Sequence, residues 1–317
     1  MNGVLLVDKE TGMTSHDVVA KARRLLGIKS IGHAGTLDPM ASGLLLLLVG
    51  EATKISDYLL TGDKGYEVSV RLGVRTDSMD MTGVVLEERS VSDLSEERIR
   101  SVALSVTGTV ELAVPMHSAV KVNGKKLYES AHKGEIPAEI PIRPMSFYGV
   151  EWVGMTTAAA GEFTDVNGGV RHLAAAPEFT IRLCCSKGSF IRAWANHVGQ
   201  LLGCGGTVTV LRRVMSAPFE IEAAKTLGSI DPNALGSEWI PLAEALPHLG
   251  KIEIEGFDAT LLRNGQLSKG VQAELLRSIQ LGVQPQPVKV IHKEERRLLA
   301  LLAAEPGEFY KIRRVFQ

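Results

Sequence analysis

Aromatic side chains are scarce in this chain, at 5% of 317 residues, and there are only three cysteines. Cys184 and Cys185 are adjacent and Cys204 stands alone, with no C-x-x-C pair and no histidine array beside them. That spacing argues against a zinc site or a disulfide framework and predicts buried, unreactive thiols in a reducing compartment. Long apolar runs are missing too: no stretch approaches the ~20 residues needed to cross a bilayer. The opening MNGVLLVDKETG has neither the basic start nor the small-residue cleavage site of a signal peptide. A cytoplasmic protein without membrane contact is the expectation. The chain also contains no G-x-S-x-G elbow, no H-E-x-x-H and no phosphate-binding G-x-x-x-x-G-K-S/T. No cofactor and no metal are therefore expected, and a mechanism built on a single carboxylate moves forward.

One acid does sit where the backbone is heavily restricted. Residues 32–39 read GHAGTLDP. Gly32 and Gly35 permit backbone angles closed to other residues, and Pro39 biases Asp38 away from helical geometry. Leu44 to Val49 follow as an unbroken apolar run between Gly43 and Gly50, which predicts a strand buried on both faces. Asp38 thus lies on a shaped loop entering a buried strand, where a rigid scaffold can aim it. A plain turn aspartate fits the same residues equally well.

A buried aspartate needs a neighbouring cation to stay ionised. Arg192, in KGSFIRAW at a strand-to-helix junction, can hold a carboxylate with two hydrogen bonds. A surface arginine at a helix start is the competing reading. Tyr66 could stack on a nucleobase or belong to the core. His33 could satisfy a loop hydrogen bond, or stack on or displace a base.

Patterning predicts a strand at 2–8, a helix from Thr14-Ser15 closed by Gly27, strands near 44–49 and 66–73, and a helix at 95–106 begun by Ser95. Phe179, Ile181 and Leu183 alternate as a strand before a helix carrying Ile191, Ala195, Val198 and Leu202 on one side. The stretch 117–147, with a short helix near Leu127–Lys133, reads as an appendage. Residues 154–177, rich in Gly and Ala, read as an exposed loop, and 219–247 as a connector. From 251 onward Gly256, Gly265, Gly270, Gly282 and Gly307 punctuate what reads as a small β-rich domain.

The net charge of −1 says little, but its distribution is uneven. Arg182, Lys187, Arg192, Arg212 and Arg213 lie in a segment without acids, and Lys121, Lys125, Lys126 and Lys133 cluster earlier. Asp77, Asp80, Glu87, Glu88, Asp93, Glu96 and Glu97 form an acidic stretch. Separated basic and acidic segments can present a cationic face to an anionic partner, although ordinary solvated surface has the same look.

GHAGTLDPMASGLLLLLVGEATK resembles the signature of the bacterial TruB-type tRNA pseudouridine synthases. NGVLLVDKETGMTSHDVV, KGYEVSVRLGVRTDSMDMTG, SAVKVNGKKLYESAHKGE and CSKGSFIRAWANHVGQLLGCGGTVTVLRRV resemble further blocks of that family, in family order across residues 2–214. After about 250 the likeness to a PUA-like RNA-binding domain is weaker. The resemblance implies an α/β (α+β) pseudouridine synthase fold, with a mixed, mostly antiparallel sheet flanked by helices. It implies a catalytic domain over 1–247, a thumb-like insertion at about 117–147 and a small C-terminal β-rich domain over 248–317. It also implies conversion of uridine to pseudouridine at position 55 in the T-loop of tRNA, on a flipped-out base.

Residue by residue, Asp38 matches the family's nucleophile, Arg192 its arginine partner, and Tyr66 the aromatic that stacks on the base. His33 matches the histidine that enters the T-loop, and Leu211 an apolar pocket residue. Lys9 matches a position with a supporting structural role, and Lys121, Lys125 and Lys126 fall in the basic thumb. Phe190 stands where many members have tyrosine; it keeps the ring and removes the hydroxyl. Residues 154–177 look like an insertion relative to shorter members. The partner implied is the tRNA T-arm, with no obligatory protein partner and a monomeric enzyme. A non-catalytic RNA-binding protein on the same scaffold is disfavoured by the intact Asp38, Tyr66 and Arg192 set. A guide-RNA-dependent modifier is disfavoured by the missing lysine-rich tail.

Overall fold

Val4, Leu5, Leu6 and Val7 point alternately into two apolar layers, so the chain opens as a strand, β1 (Gly3–Lys9). The computed structural model describes residues 2–131, 139–232, 239–280, 287–304 and 309–317. Helix α1 (Ser15–Leu26) starts at a reciprocal cap: Thr14 Oγ1 accepts from Asp17 N, and the Asp17 carboxylate accepts from Thr14 N. Gly27, at φ 65°, ends it in the left-handed conformation. Strands β2 (Ile31–Ala34) and β3 (Ser42–Val49) follow. In β3, Leu45, Leu47 and Val49 face one core while Leu44, Leu46 and Leu48 face another. That two-sided burial is what an unbroken apolar run requires.

A 3-10 turn (Gly50–Ile55) and short helix α2 (Ser56–Leu60) lead into β4 (Lys64–Leu72). The hairpin β5 (Val74–Thr76) and β6 (Val85–Glu88), helix α3 (Glu96–Ser105) capped by Ser95, and β7 (Gly108–Ala113) come next. A small hairpin, β8 (Lys121–Val122) and β9 (Lys125–Lys126), and helix α4 (Leu127–Ala131) precede the long strand β10 (Ile142–Ala158). Then come β11 (Gly161–Thr164), β12 (Val170–Leu173), β13 (Ala176–Cys185), α5 (Ile191–Leu201), β14 (Gly206–Ser216) and β15 (Phe219–Glu220).

The main sheet runs β1-β3-β14-β4-β13-β10-β7, with β2 beside β3 and β15 beside β14. Its β3–β14 contact is parallel and its other pairings are antiparallel, so the sheet is mixed and mostly antiparallel. One face packs on Val18, Val19 and Ala22 of α1, Ile99 of α3, and Trp194 and Val198 of α5. Trp194 brings its polar edge along satisfied, donating from Nε1 to Val106 O at 3.0 Å.

The C-terminal region carries β16 (Gly250–Ile254), α6 (Gly256–Arg263), α7 (Lys269–Gln280), β17 (Val288–His292), β18 (Leu298–Ala303) and β19 (Lys311–Val315). The four strands form one sheet in that order. Ile291, Leu298, Leu301 and Phe316 pack into the same core as Leu44, Leu46 and Leu48 of β3. Leu242, Ala243, Ala245 and Leu246 fill that core too, so the connector region is part of the packing rather than a loose tether.

Three expectations need correction. Residues 154–177 are no exposed loop: β10 continues to Ala158, and 161–173 form a hairpin whose Phe163 and Leu173 pack with Val74, Val85 and Met81. Short alternation inside a Gly/Ala-rich frame hides such a hairpin. Gly256, Gly265 and Gly270 do not punctuate strands; they start, follow and sit within α6 and α7, where Ala259, Leu262, Val271 and Leu275 recur at helical spacing. Gly282 and Gly307 lie outside the described residues. The stretch 117–147 is not all appendage, since 142–147 pair with β7 in the main sheet and Leu127 of α4 is buried in its core. The rest of the predicted helix, with Lys133, lies outside the described residues.

Candidate active site

Asp38 owes its position to a loop tied down on four sides. Leu37 N donates to Ser15 Oγ at 2.9 Å, and Ser15 Oγ donates back to Leu37 O. Gly12 N donates to Pro39 O at 2.8 Å, and Ala41 N closes the turn on Asp38 O. Lys9, almost fully buried, donates from Nζ to Glu10 O, Met13 O and Pro39 O. Burial pulls the Lys9 amine down to about 8, against the opposing attraction of Asp38. Its role is thus supporting: it stitches β1 to the loop.

The fourth tie is Arg213, which is 1% exposed. Its guanidinium donates to Leu44 O (2.7 Å), Gly35 O (2.9 Å) and Thr36 O (3.4 Å). Among the described residues no carboxylate pairs with it; three backbone oxygens accept its hydrogen bonds, and the Tyr66 hydroxyl lies against it. Gly35, at φ 82°, lets the loop turn there through the left-handed region.

Arg192, the second residue of α5, is buried, so it is not a surface arginine. Its Nη2 lies 2.9 Å from Asp38 Oδ2 and its Nη1 lies 3.4 Å from Asp80 Oδ2. It also donates to Ser78 O at 2.8 Å and His117 O at 3.0 Å. The two carboxylates differ sharply: the Asp80 side chain is 5% exposed and that of Asp38 is 35% exposed. Asp80 is fully engaged, its Oδ1 accepting from Ser78 Oγ, Thr82 N and Thr82 Oγ1. Asp38 is held on one oxygen and open to solvent, the state a carboxylate needs to attack an external group.

The register places the apolar wall. Tyr66 lies opposite Arg213 on β14 and Leu183 on β13, and its neighbour Val68 lies opposite Leu211. These side chains share one sheet face, beneath α5. Tyr66 is half-buried; burial raises its hydroxyl above the ordinary tyrosine range, and Arg213 opposes that shift. Phe190, also half-buried, caps α5 and packs on the same core.

His33 sits on β2 rather than in a loop, its ring edge-on to His16 at 5.2 Å. Its Nδ1 is buried without a partner among the described residues, so the loop hydrogen bond is absent there. Burial first, then His16 and Arg213, lower its basicity and favour the neutral ring. Lys121 and Lys125 are exposed on the β8–β9 hairpin, and Lys126 lies over the Tyr128 ring at 5.3 Å. His117, at the root of the same segment, accepts from Arg192 through its backbone oxygen.

The arginines of 182–213 do not make the expected cationic face. Arg192 and Arg213 are internal, Arg182 pairs with Glu67 at 2.9 Å, and Arg212 binds Asp8 through two contacts of 2.7 and 3.0 Å. The sequence reading also missed Asp80, taking it for acidic surface. The available signal was its setting in TDSMDMT, where serine and threonine flank the acid closely enough to bind it in a turn. Burial raises the Cys184, Cys185 and Cys204 thiols, with Cys185 near 12, which keeps them unreactive. Among the described residues no three His, Cys, Asp or Glu side chains converge as a metal site.

Comparison with known proteins places the chain as a whole. Residues 23–191 match the model of the TruB family pseudouridylate synthase N-terminal domain. A protein named tRNA pseudouridine synthase B from Bdellovibrio bacteriovorus is 43% identical, over 100% of this chain and 97% of its own. One of the same name from Syntrophobacter fumaroxidans is 36% identical over 100% and 98%. One from Geobacillus thermodenitrificans is 40% identical over 84% and 85%. The Cbf5-Nop10-Gar1 complex contains a chain with the same fold, at a TM-score of 0.68 and 22% identity, covering 99% of this chain and 85% of that one. The archaeal box H/ACA sRNP Nop10-Cbf5 complex contains another, at 0.65 and 22%, covering 99% and 86%.

Proposed function

The chain belongs to the TruB family of pseudouridylate synthases, and on that premise we propose that Asp38 is the nucleophile with which it isomerises uridine in the T-loop of tRNA, at position 55. The enzyme is a tRNA pseudouridine synthase, converting uridine to pseudouridine. The reaction breaks the N1–C1′ glycosidic bond, turns the uracil and forms a C5–C1′ bond, with the C5 proton lost and N1 protonated. Atoms balance without an external oxidant or reductant.

The observation that carries the assignment is the 2.9 Å Arg192–Asp38 pair, sealed on the arginine side and open on the aspartate side. The cation pairs with the carboxylate and aims it. The target base must leave its stack, at a cost of roughly a few kcal/mol. Tyr66, Phe190 and Leu211 supply an apolar seat for it, and His33, neutral and unpartnered at Nδ1, can occupy the space it leaves. Lys121, Lys125 and Lys126 serve the phosphate backbone of the arm. Residues 1–247 carry the chemistry and 248–317 act as a PUA-like RNA-binding domain.

The test uses unmodified tRNA transcript bearing uracil tritiated at C5. Wild-type protein releases tritium and leaves pseudouridine at one T-loop position. Asp38→Asn binds the RNA within a few-fold of wild type and releases none. Near-normal turnover by that variant would rule out Asp38 as nucleophile.

A further inference from the structure

The β11–β12 hairpin has no part in the reading above, yet it touches the machinery behind Arg192. Val166 N at its tip donates to Thr82 O at 2.9 Å. Thr82 in turn donates from N and Oγ1 to Asp80 Oδ1, and the other Asp80 oxygen faces Arg192. An unbroken path of polar contacts thus joins the hairpin tip to Asp38. Apolar packing runs beside it: Phe163 and Leu173 of the hairpin meet Met81, Val74 and Val85 around the same turn.

The turn at 78–82 needs outside support. Met79 has φ 62°, a left-handed conformation that costs a non-glycine residue about 1 kcal/mol or more. Such backbone persists only where neighbours over-determine it. Val208 supplies part of that support through Val208 N to Met79 O and Met81 N to Val208 O. Arg192 to Ser78 O and Thr76 Oγ1 to Asp80 O add to it, and the hairpin contributes Val166 N to Thr82 O and the packing on Met81.

The hairpin is built to hold its own shape. Asp165 Oδ1 accepts from Asn167 N at 2.8 Å and Gly169 N at 2.9 Å, and Gly168, at φ 81°, completes the bend. Buried Arg71 latches the base by donating to Ala159 O and Ala174 O. Its charges are mixed, Glu162 and Asp165 against Arg171, so it presents no cationic surface to RNA.

We infer that the 161–173 hairpin is a positioning brace for the Asp80–Arg192 clamp, acting on the rate of the chemical step rather than on tRNA affinity. This rests on the reading of Asp38 and Arg192 as the reacting pair. Three variants test it in single-turnover tritium release across tRNA concentrations: Asp165→Ala, Asp165→Asn, and a chain with Thr164–Val170 replaced by Asn-Gly. The last keeps Phe163 and the Arg71 latch, so it removes the tip contact without dismantling the base. Asp165→Ala and the shortened hairpin lower the saturating rate about 10-fold, while half-saturating tRNA stays within about twofold. Asp165→Asn, which keeps the accepting oxygen, retains the wild-type rate. Unchanged rates in both disruptive variants overturn the brace. A raised half-saturating concentration with an unchanged rate also overturns it, making the hairpin an RNA contact. Activity in Asp38→Asn would instead sink the assignment of the pair, whatever the hairpin variants do.

Discussion

Two carboxylates share one guanidinium at the centre of this molecule, and their unequal exposure divides the work between them. Asp80 is enclosed and fully hydrogen-bonded, so it fixes Arg192; Asp38 keeps free valences toward solvent. Arg192 reaches four acceptors on three segments, which only a planar fork can do. Arg192→Lys keeps the charge and loses that reach. We expect its single-turnover rate to fall about 100-fold or more with tRNA affinity changed only a few-fold, measured by rapid quench and filter binding. A fall in affinity alone would make Arg192 a phosphate contact, which its burial already speaks against. Glycine and proline around Asp38 and the strand-to-helix junction at Arg192 drew notice in the sequence, but a turn aspartate and a surface arginine fitted those residues equally well, and only the family resemblance joined the two. Asp80 was not legible, because an acid among acids looks solvated until folding brings a buried arginine to it. Arg213 was hidden likewise: nothing in LRRV separates the arginine that pairs with Asp8 from the one that enters the interior.

At the level of elements, the loop and β3 depend on one close approach. Gly43, at φ 102°, lies opposite Arg213 where β3 meets β14 in parallel, and a Cβ there would come within 2.2 Å of Arg213 O. The obstacle is backbone, so no side-chain adjustment relieves it. Gly43→Ala is expected to cost about 2–4 kcal/mol of stability in urea unfolding and to misplace the Asp38 loop. A variant of native stability and rate would show that the two strands can part without harm. Long periodic elements such as β3, α1 and α3 were readable from pattern and caps alone. The 161–173 hairpin was not, because its strands are four residues long and flanked by alanine-rich chain whose apolar signal is weak.

Across the whole molecule, the two sheets share a core rather than meeting at a surface. Phe316 is 1% exposed among Leu44, Leu46 and Leu301, Lys54 donates to Val315 O, and Gln317 N donates to Glu51. Lys289 adds a buried latch, donating to Ala243 O and Leu246 O at 2.8 Å each. Phe316→Ala should therefore lower stability by about 3–5 kcal/mol and leave a single thermal transition. Two separated transitions in calorimetry would show that the C-terminal sheet folds independently of β3. The shared core was not visible in the sequence, because apolar residues do not announce which sheet they will face.

The carbonyl cage around Arg213 has a consequence for how catalysis is organised. Because the strand next to the acid grips the loop's own peptide oxygens, the bearing of Asp38 is settled when the chain folds, before any nucleic acid arrives. On the reading of Asp38 as the nucleophile, the carboxylate meets its substrate already aimed.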